Sequence, residues 1–539
     1  MRRSLGELVM LVPIAAFVAL FALLPVGLLF AASLSAVGGI AGLGSLLTQP
    51  LNQHSVANSL LQGGLSAALA VAFGYPAGVL LGRYRWPGRE LVRSLLLVPF
   101  LLPSLIVVLG IEDLFGAGGL LGTPFPDLSF FGHGTPGVVA ANLIFNVPLV
   151  VLLTAAGCET ASAELEETVV TLGGSPARAY RDAWGPATWI GAAAGGLLTF
   201  LFSALSFAPP LLLCGERCYT VEARIWSLDQ VLLAPSDAGA LALIMVVLFL
   251  APTLGYLYLV RRLATPSGRQ ARRARPLDRS ATTIALVLET GAVLTAVAVL
   301  LGAVLFRTLV PVGGAGPGSA WSALFGPGTA RRLGIGIPAA VGNTLLFAIA
   351  AAGITVVLAV PAAFAVLRRP GRGSGLGLFL FVPLLLSPVV LALSLATFWR
   401  PLLGGEGSVW VLVIVSQTVL ALPFALQSLG IPLAGLSPAG REAAESLGAG
   451  RFSAFLDADL PRVRDGLVTA SLFAFALGLG EFTATYFLVT PRFTTVPVAL
   501  YGLVGARQLP LADAAAGLLL LLSLAVFLAL SLGGRRVEL

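Results

Sequence analysis

Apolar runs of about 20 residues recur along almost the whole chain, and few folds can absorb them. In lipid every backbone N–H and C=O must find a partner inside the segment, so such runs read as membrane-spanning helices. Roughly twelve are legible, at 8–34, 56–82, 92–111, 137–157, 188–213, 240–260, 281–306, 339–367, 376–399, 408–430, 466–489 and 513–533. With 57% hydrophobic residues, 11% charged and a mean hydropathy of +0.96, a soluble globular chain is excluded. The expected fold class is all-α: a polytopic membrane protein of about 12 transmembrane helices, arranged as two parallel six-helix repeats. The first run is about twice as long as a signal-peptide core, so it is expected to remain as a span.

A duplication is legible in the polar stretch Ser437 to Pro461, which carries Arg441, Glu442, Glu445, Arg451, Asp457 and Asp459 between two apolar runs. Such a stretch belongs in water. Ser437 suits a cap, Pro438 the first helical position and Gly448 a left-handed stop, so a short helix is expected with Ala444 and Leu447 as a small apolar stripe. At an offset of 275 residues the pattern recurs: Ser162, Glu167, Leu172, Gly173, Asp182, Ala183 and Pro186 match Ser437, Glu442, Leu447, Gly448, Asp457, Ala458 and Pro461. Val169 and Leu172 repeat the stripe. Further upstream, Asn58 and Asn343 recur at an offset of 285, and the first half's additional length is assigned to the glycine-rich stretch near 114–136. The expected organisation is a first repeat over 1–262, a basic linker over 263–280 and a second repeat over 281–539.

All 32 basic residues are arginines. With the amino terminus inside, most of them fall on inner loops, which is the positive-inside bias, and both short polar helices fall on the cytoplasmic side. The formal charge of +7 then reflects membrane orientation and gives no reason to expect nucleic-acid binding. A P-loop needs a lysine, so any ATP hydrolysis driving this chain belongs to another polypeptide. The linker Arg261 to Arg279 holds seven arginines with Pro266, Gly268 and Pro276, and reads as a solvated connector with no chemistry assigned.

Glu442-Ala443-Ala444, Gly448 and Leu460-Pro461 resemble the EAA loop of the membrane subunits of ATP-binding-cassette importers. The first copy departs from the triplet, reading Glu167-Thr168-Val169 and Gly185-Pro186. The resemblance implies that Glu167, Leu172 and Gly173, with Glu442, Ala443, Ala444, Leu447 and Gly448, form helices that dock on ATPase subunits. It further implies two copies of a separate ABC ATPase on the cytoplasmic side and an extracytoplasmic solute-binding protein. ATP and Mg would be held by the ATPase and no cofactor by this chain, a transport subunit and not an enzyme. The setting implied is a prokaryotic inner membrane, crossed many times, with both termini cytoplasmic. Pro103 to Gly110, together with Asn142 to Pro148, is similar to the thiamine permeases of this group, and ferric-iron permeases also join two halves in one chain. Thiamine or its phosphate is the expected substrate and ferric iron the alternative. A secondary transporter driven by an ion gradient, which would need no partner, is the reading from a different class.

Few residues offer chemistry of their own. Glu481, in Leu479-Gly480-Glu481-Phe482, falls within an apolar run. A charge near the bilayer centre costs on the order of 3 kcal/mol, so it is expected either on the substrate pathway or in a structural pair. Asn142 and Asn146 share a helix face, and Gln417 aligns with Asn142; interhelical hydrogen bonding and substrate contact are both open to them. Cys214 and Cys218 fall outside, where a disulfide is permitted. No metal site is expected, because His54 and His133 are distant in sequence and have no ligand cluster about them. Prolines at 99, 103, 383 and 388 predict bent or broken helices in both halves.

Overall fold

A computed structural model describes residues 5–96, 98–263, 275–278, 280–310, 318–366, 383, 386–434, 436, 438–450, 453 and 455–533. Within the first half the principal helices are α1 (Met10–Ala36), α2 (Pro50–Arg83), α3 (Ser104–Phe115), α4 (Gly134–Thr160), α5 (Ala163–Thr171), α6 (Pro176–Ala204), α7 (Ala208–Leu213), α8 (Val221–Trp226) and α9 (Pro235–Leu263). The second half contributes α10 (Ala281–Leu309), α11 (Ile337–Val366), α12 (Pro388–Leu403), α13 (Gly407–Ala434), α14 (Pro438–Ser446), α15 (Arg464–Gly480), α16 (Thr483–Leu488), α17 (Val496–Gly505) and α18 (Leu509–Gly533). Among the described residues 10 helices are long and apolar enough to cross a membrane: α1, α2, α4, α6, α9, α10, α11, α13, α15 and α18.

Two of the twelve expected spans are not among these ten. The run at 92–111 is no single span, because Pro103 sits in an extended conformation and starts α3 afresh after the short helices Arg89–Leu95 and Val98–Leu101. Of the run at 376–399, the first part lies outside the described residues and the rest forms α12. The runs at 188–213 and 466–489 each break once, after Ala204 and after Gly480, and continue as the six-residue helices α7 and α16. The first half's additional length lies between α3 and α4, where a 3-10 helix Pro126–Gly132 interrupts an irregular connection.

The chain divides into two compact units, one of residues 36–314 and one of residues 1–35 with 315–539. In the first, α2, α4 and α6 pack mutually and α9 lies on α6. In the second, α11, α13 and α15 make the equivalent trio and α18 lies on α15. These units are not coextensive with the sequence repeats. Helix α10, which opens the second repeat, packs on α2 and α3, and α1 packs on α11. The seat for α10 is built by Gly110, whose missing side chain admits Leu300; a methyl there would lie 2.7 Å from Leu300 Cδ2.

Close helix packing in the first unit follows from small residues at four-residue spacing. Gly74, Gly78 and Gly82 form one stripe of α2 facing α4. A methyl on Gly74 would lie 2.8 Å from Val150 Cβ and one on Gly82 2.5 Å from Cys158 Cβ, while Gly78 meets Thr154 more closely still. At the other end of the bundle each unit pins its connecting segment in the same way. Asn58 Nδ2 donates to the carbonyls of Arg217 (3.0 Å) and Tyr219 (3.4 Å), and Asn343 Nδ2 to those of Arg492 (3.2 Å) and Thr494 (3.0 Å). The following hydroxyls, Ser59 and Thr344, each accept a 2.9 Å bond, from the backbone N–H of Val221 and of Val496.

Candidate functional site

The two short polar helices end alike, while Ser437, the expected cap of the second, lies outside the described residues. In α5 the Ser162 hydroxyl caps the start by accepting from Leu165 N–H (3.3 Å). The end closes with Gly174 N–H bonded to Val169 O (2.8 Å) and Gly173 N–H to Val170 O (2.9 Å). In α14 the same closure uses Ala449 N–H on Ala444 O (3.0 Å) and Gly448 N–H on Glu445 O (3.0 Å). This paired 6→1 and 5→2 pattern requires a left-handed residue, and Gly173 (φ 76°) and Gly448 (φ 89°) supply it. Immediately before each glycine stands a leucine held almost wholly in the open, Leu172 at 81% and Leu447 at 89% exposure. Glu167, Glu442 and Ala443 are exposed beside them, and Ala444 and Val169 are half-buried. The expected apolar stripe is therefore split: Val169 and Ala444 face inward, whereas Leu172 and Leu447 point away from the bundle.

The segments downstream of these helices match as well. A π-turn occupies Tyr180–Trp184 in the first copy and Phe455–Asp459 in the second, at the same offset of 275 residues. It accommodates the prolines that come next, Pro186 and Pro461, which have no N–H for a regular helical ladder. In the first copy the helix runs without a break from Pro176 through this turn to Ala204. Asp182 lies in the turn, paired with Arg181 (2.8 Å) and Arg178 (3.5 Å). In the second copy Asp457 accepts instead from the Ser453 hydroxyl (2.9 Å).

The structure adds a residue that sequence reasoning passed over. Glu166, not its neighbour Glu167, turns inward, and only 4% of it is exposed. Its Oε1 accepts from Arg83 Nη2 (2.8 Å) at the end of α2 and from Arg275 Nη2 (2.9 Å). Arg83 also lies 4.1 Å from the ring centroid of Trp184. Next to this cluster Arg89 (2.7 Å) and Arg93 (3.1 Å) share Glu159 at the end of α4. A signal existed, because Ser162, Glu166 and Val169 are spaced i, i+4, i+7 and so share the inward face of α5.

The remaining candidate residues stand at helix breaks and between helices. Glu481 stands in the break between α15 and α16 and caps α16: its Oε1 accepts from Ala484 N–H (2.7 Å) and its Oε2 from Thr485 N–H (2.8 Å) and the Thr485 hydroxyl. Asn142 and Asn146 are buried between helices. Asn146 Nδ2 donates to Asn142 O (2.8 Å) and Ser203 Oγ (3.2 Å), and Asn142 Nδ2 to Ser66 Oγ (3.5 Å), so the pair bridges α4 to α6 and α2. Gln417 is buried in α13 with its Oε1 against Gly478 of α15. Cys214 and Cys218 are joined by a disulfide.

The ten helices long and apolar enough to cross a membrane among the described residues, with two matched polar helices each followed by a π-turn, fit a multi-pass, all-α membrane protein. Residues 74–265, which include α5 and its π-turn, match the family described as binding-protein-dependent transport system inner membrane component, and over most of its length the chain is similar to permeases of ABC importers of the fused two-half type. It is 26% identical to the thiamine transport system permease protein ThiP of Salmonella typhimurium over 88% of each chain, and 26% identical to that of Escherichia coli over 90% of each. The molybdenum transport system permease protein ModB of Mycobacterium tuberculosis is 28% identical, with 39% of this chain covering 81% of that one.

Proposed function

We propose that this chain is the membrane permease of an importer for thiamine or a thiamine phosphate, powered by two copies of a separate ABC ATPase and supplied by an extracytoplasmic solute-binding protein. The observation that carries the coupling part is the recurrence, in register, of an exposed leucine, a left-handed glycine stop and a π-turn ahead of a span. An apolar side chain standing in water on a rigid, capped helix is a ready anchor for a groove in a partner. A pull on α5 or α14 is passed to a membrane helix through the segment that carries the π-turn, so ATP-driven closure of the partners tilts α6 and α15 and switches access to the path. Both docking helices and both termini then face the cytoplasm across a prokaryotic inner membrane, in keeping with the arginine distribution. This chain itself binds no nucleotide and no cofactor; ATP and Mg stay with the ATPase. Thiamine is favoured because the relatives similar over nearly the full length carry that transport in their names.

The test is uptake of labelled thiamine by proteoliposomes containing this chain, its ATPase and its binding protein. ATP-dependent uptake is expected, with Glu442→Arg or Gly448→Pro lowering it at least about tenfold, the effect of losing one buried anchor of an interface. Uptake by the purified chain alone, driven by an ion gradient, would overturn the coupling reading. ATP-dependent uptake of molybdate or ferric iron in place of thiamine would overturn only the substrate.

A further inference from the structure

The connector between the halves has a described end, and that end is not a free strand in solvent. Arg275 and Pro276 pair in parallel register with Tyr84 and Arg85, the residues that leave α2. The pairing brings the Arg275 guanidinium to the same Glu166 oxygen that Arg83 holds, at 2.9 Å against 2.8 Å. Arg83 in turn lies over Trp184, the last residue of the π-turn between α5 and its span. One buried carboxylate thus gathers the end of α2, the linker, the docking helix α5 and the base of α6.

We propose that the linker is a working part of the coupling machinery: Arg275, with Arg83 and Glu166, is a positioning residue that makes α5 and the base of α6 move as one body, a role that rests on the coupling reading above. The physical ground is the cost of leaving a buried carboxylate with fewer donors, which confines Glu166 to the geometry where both guanidiniums reach it. Arg275 is the replaceable member, because its side chain is 53% exposed whereas those of Arg83 and Glu166 are 10% and 5% exposed. The device belongs to the first docking helix. At the position of Glu166 the second copy carries Arg441, so the matching position of α14 supplies no carboxylate.

The experiment uses the full chain with its ATPase and binding protein in proteoliposomes, and reads labelled thiamine delivered per ATP hydrolysed. For Arg275→Gln the ATPase is expected to bind and hydrolyse ATP as before, while delivery per ATP falls at least about fivefold, the lower end of ordinary coupling between sites. Arg275→Lys, which keeps the charge, is expected to retain the ratio, and Glu166→Gln/Arg275→Gln to be no worse than Glu166→Gln alone. Arg85→Cys with Pro276→Cys is expected to cross-link in oxidised membranes. An unchanged ratio in Arg275→Gln, or no cross-link, would overturn the proposal while leaving the importer reading intact. Failure of the ATPase to bind the unaltered chain would instead remove that reading, and the coupling role with it.

Discussion

A single carboxylate can be charged for its own sake or for the bonds that it accepts, and Glu481 separates the two. Its oxygens accept backbone N–H groups of α16, so Glu481→Gln, which keeps an acceptor, should leave most of the cap, whereas Glu481→Ala should cost about 1 kcal/mol of local stability. Thermal unfolding in detergent checks this. If thiamine uptake falls as far in Glu481→Gln as in Glu481→Ala while stability is kept, the charge serves the path as well as the helix. Asp278 gives a second residue-level expectation. Hydrogen bonds from Thr283 and Ser280 hold its carboxyl below the ordinary aspartate range, and these same groups form the start of α10. With the folded value lowered, this support is complete above the ordinary range and is lost as pH falls through it toward the folded value. Amides in the first turn of α10 should therefore exchange faster in Asp278→Asn than in the native chain at neutral pH, with the difference vanishing in acid.

Among elements, spacing of small residues decides what can approach what. Gly78 sits where α2 and α4 touch most closely, so Gly78→Val must push the two helices apart, at a cost of about 1–3 kcal/mol. Because Asn146 bridges α4 to α6 in the same unit, the loss should appear as reduced yield of folded protein and a lower melting temperature, not as a selective transport defect. The π-turns belong to this scale as well. Two turns of equal length stand at equivalent places after α5 and α14, which is what the proposed pair of docking helices would need.

For the molecule as a whole, the compact units cut across the duplication. Leu300 belongs to the second sequence repeat, yet it is buried against Gly110, Val107 and Val108 of the first. Leu300→Ala should cost about 2–5 kcal/mol. Its loss of hydrogen-exchange protection should fall within residues 36–314 and spare 315–533, an outcome that a boundary drawn at the linker would not give.

Much of this architecture is legible in the chain by itself. The apolar runs required helices, since lipid offers the backbone no other partner, and an offset shared by Glu167 and Glu442, Gly173 and Gly448, and Pro186 and Pro461 required two equivalent polar loops. Caps and stops are local chemistry, so Ser162, Gly173 and Gly448 could be read from their neighbours. Three matters depended on tertiary packing. Which helix covers which is chosen by the fit of surfaces far apart in sequence, as Leu300 on Gly110 demonstrates. Whether an apolar run stays whole depends on what replaces a lost hydrogen bond, and Glu481 does so by starting a new helix. The choice between Glu166 and Glu167 was settled by two arginines, one from α2 and one from the linker, because this carboxylate is buried where positive partners from distant segments meet it.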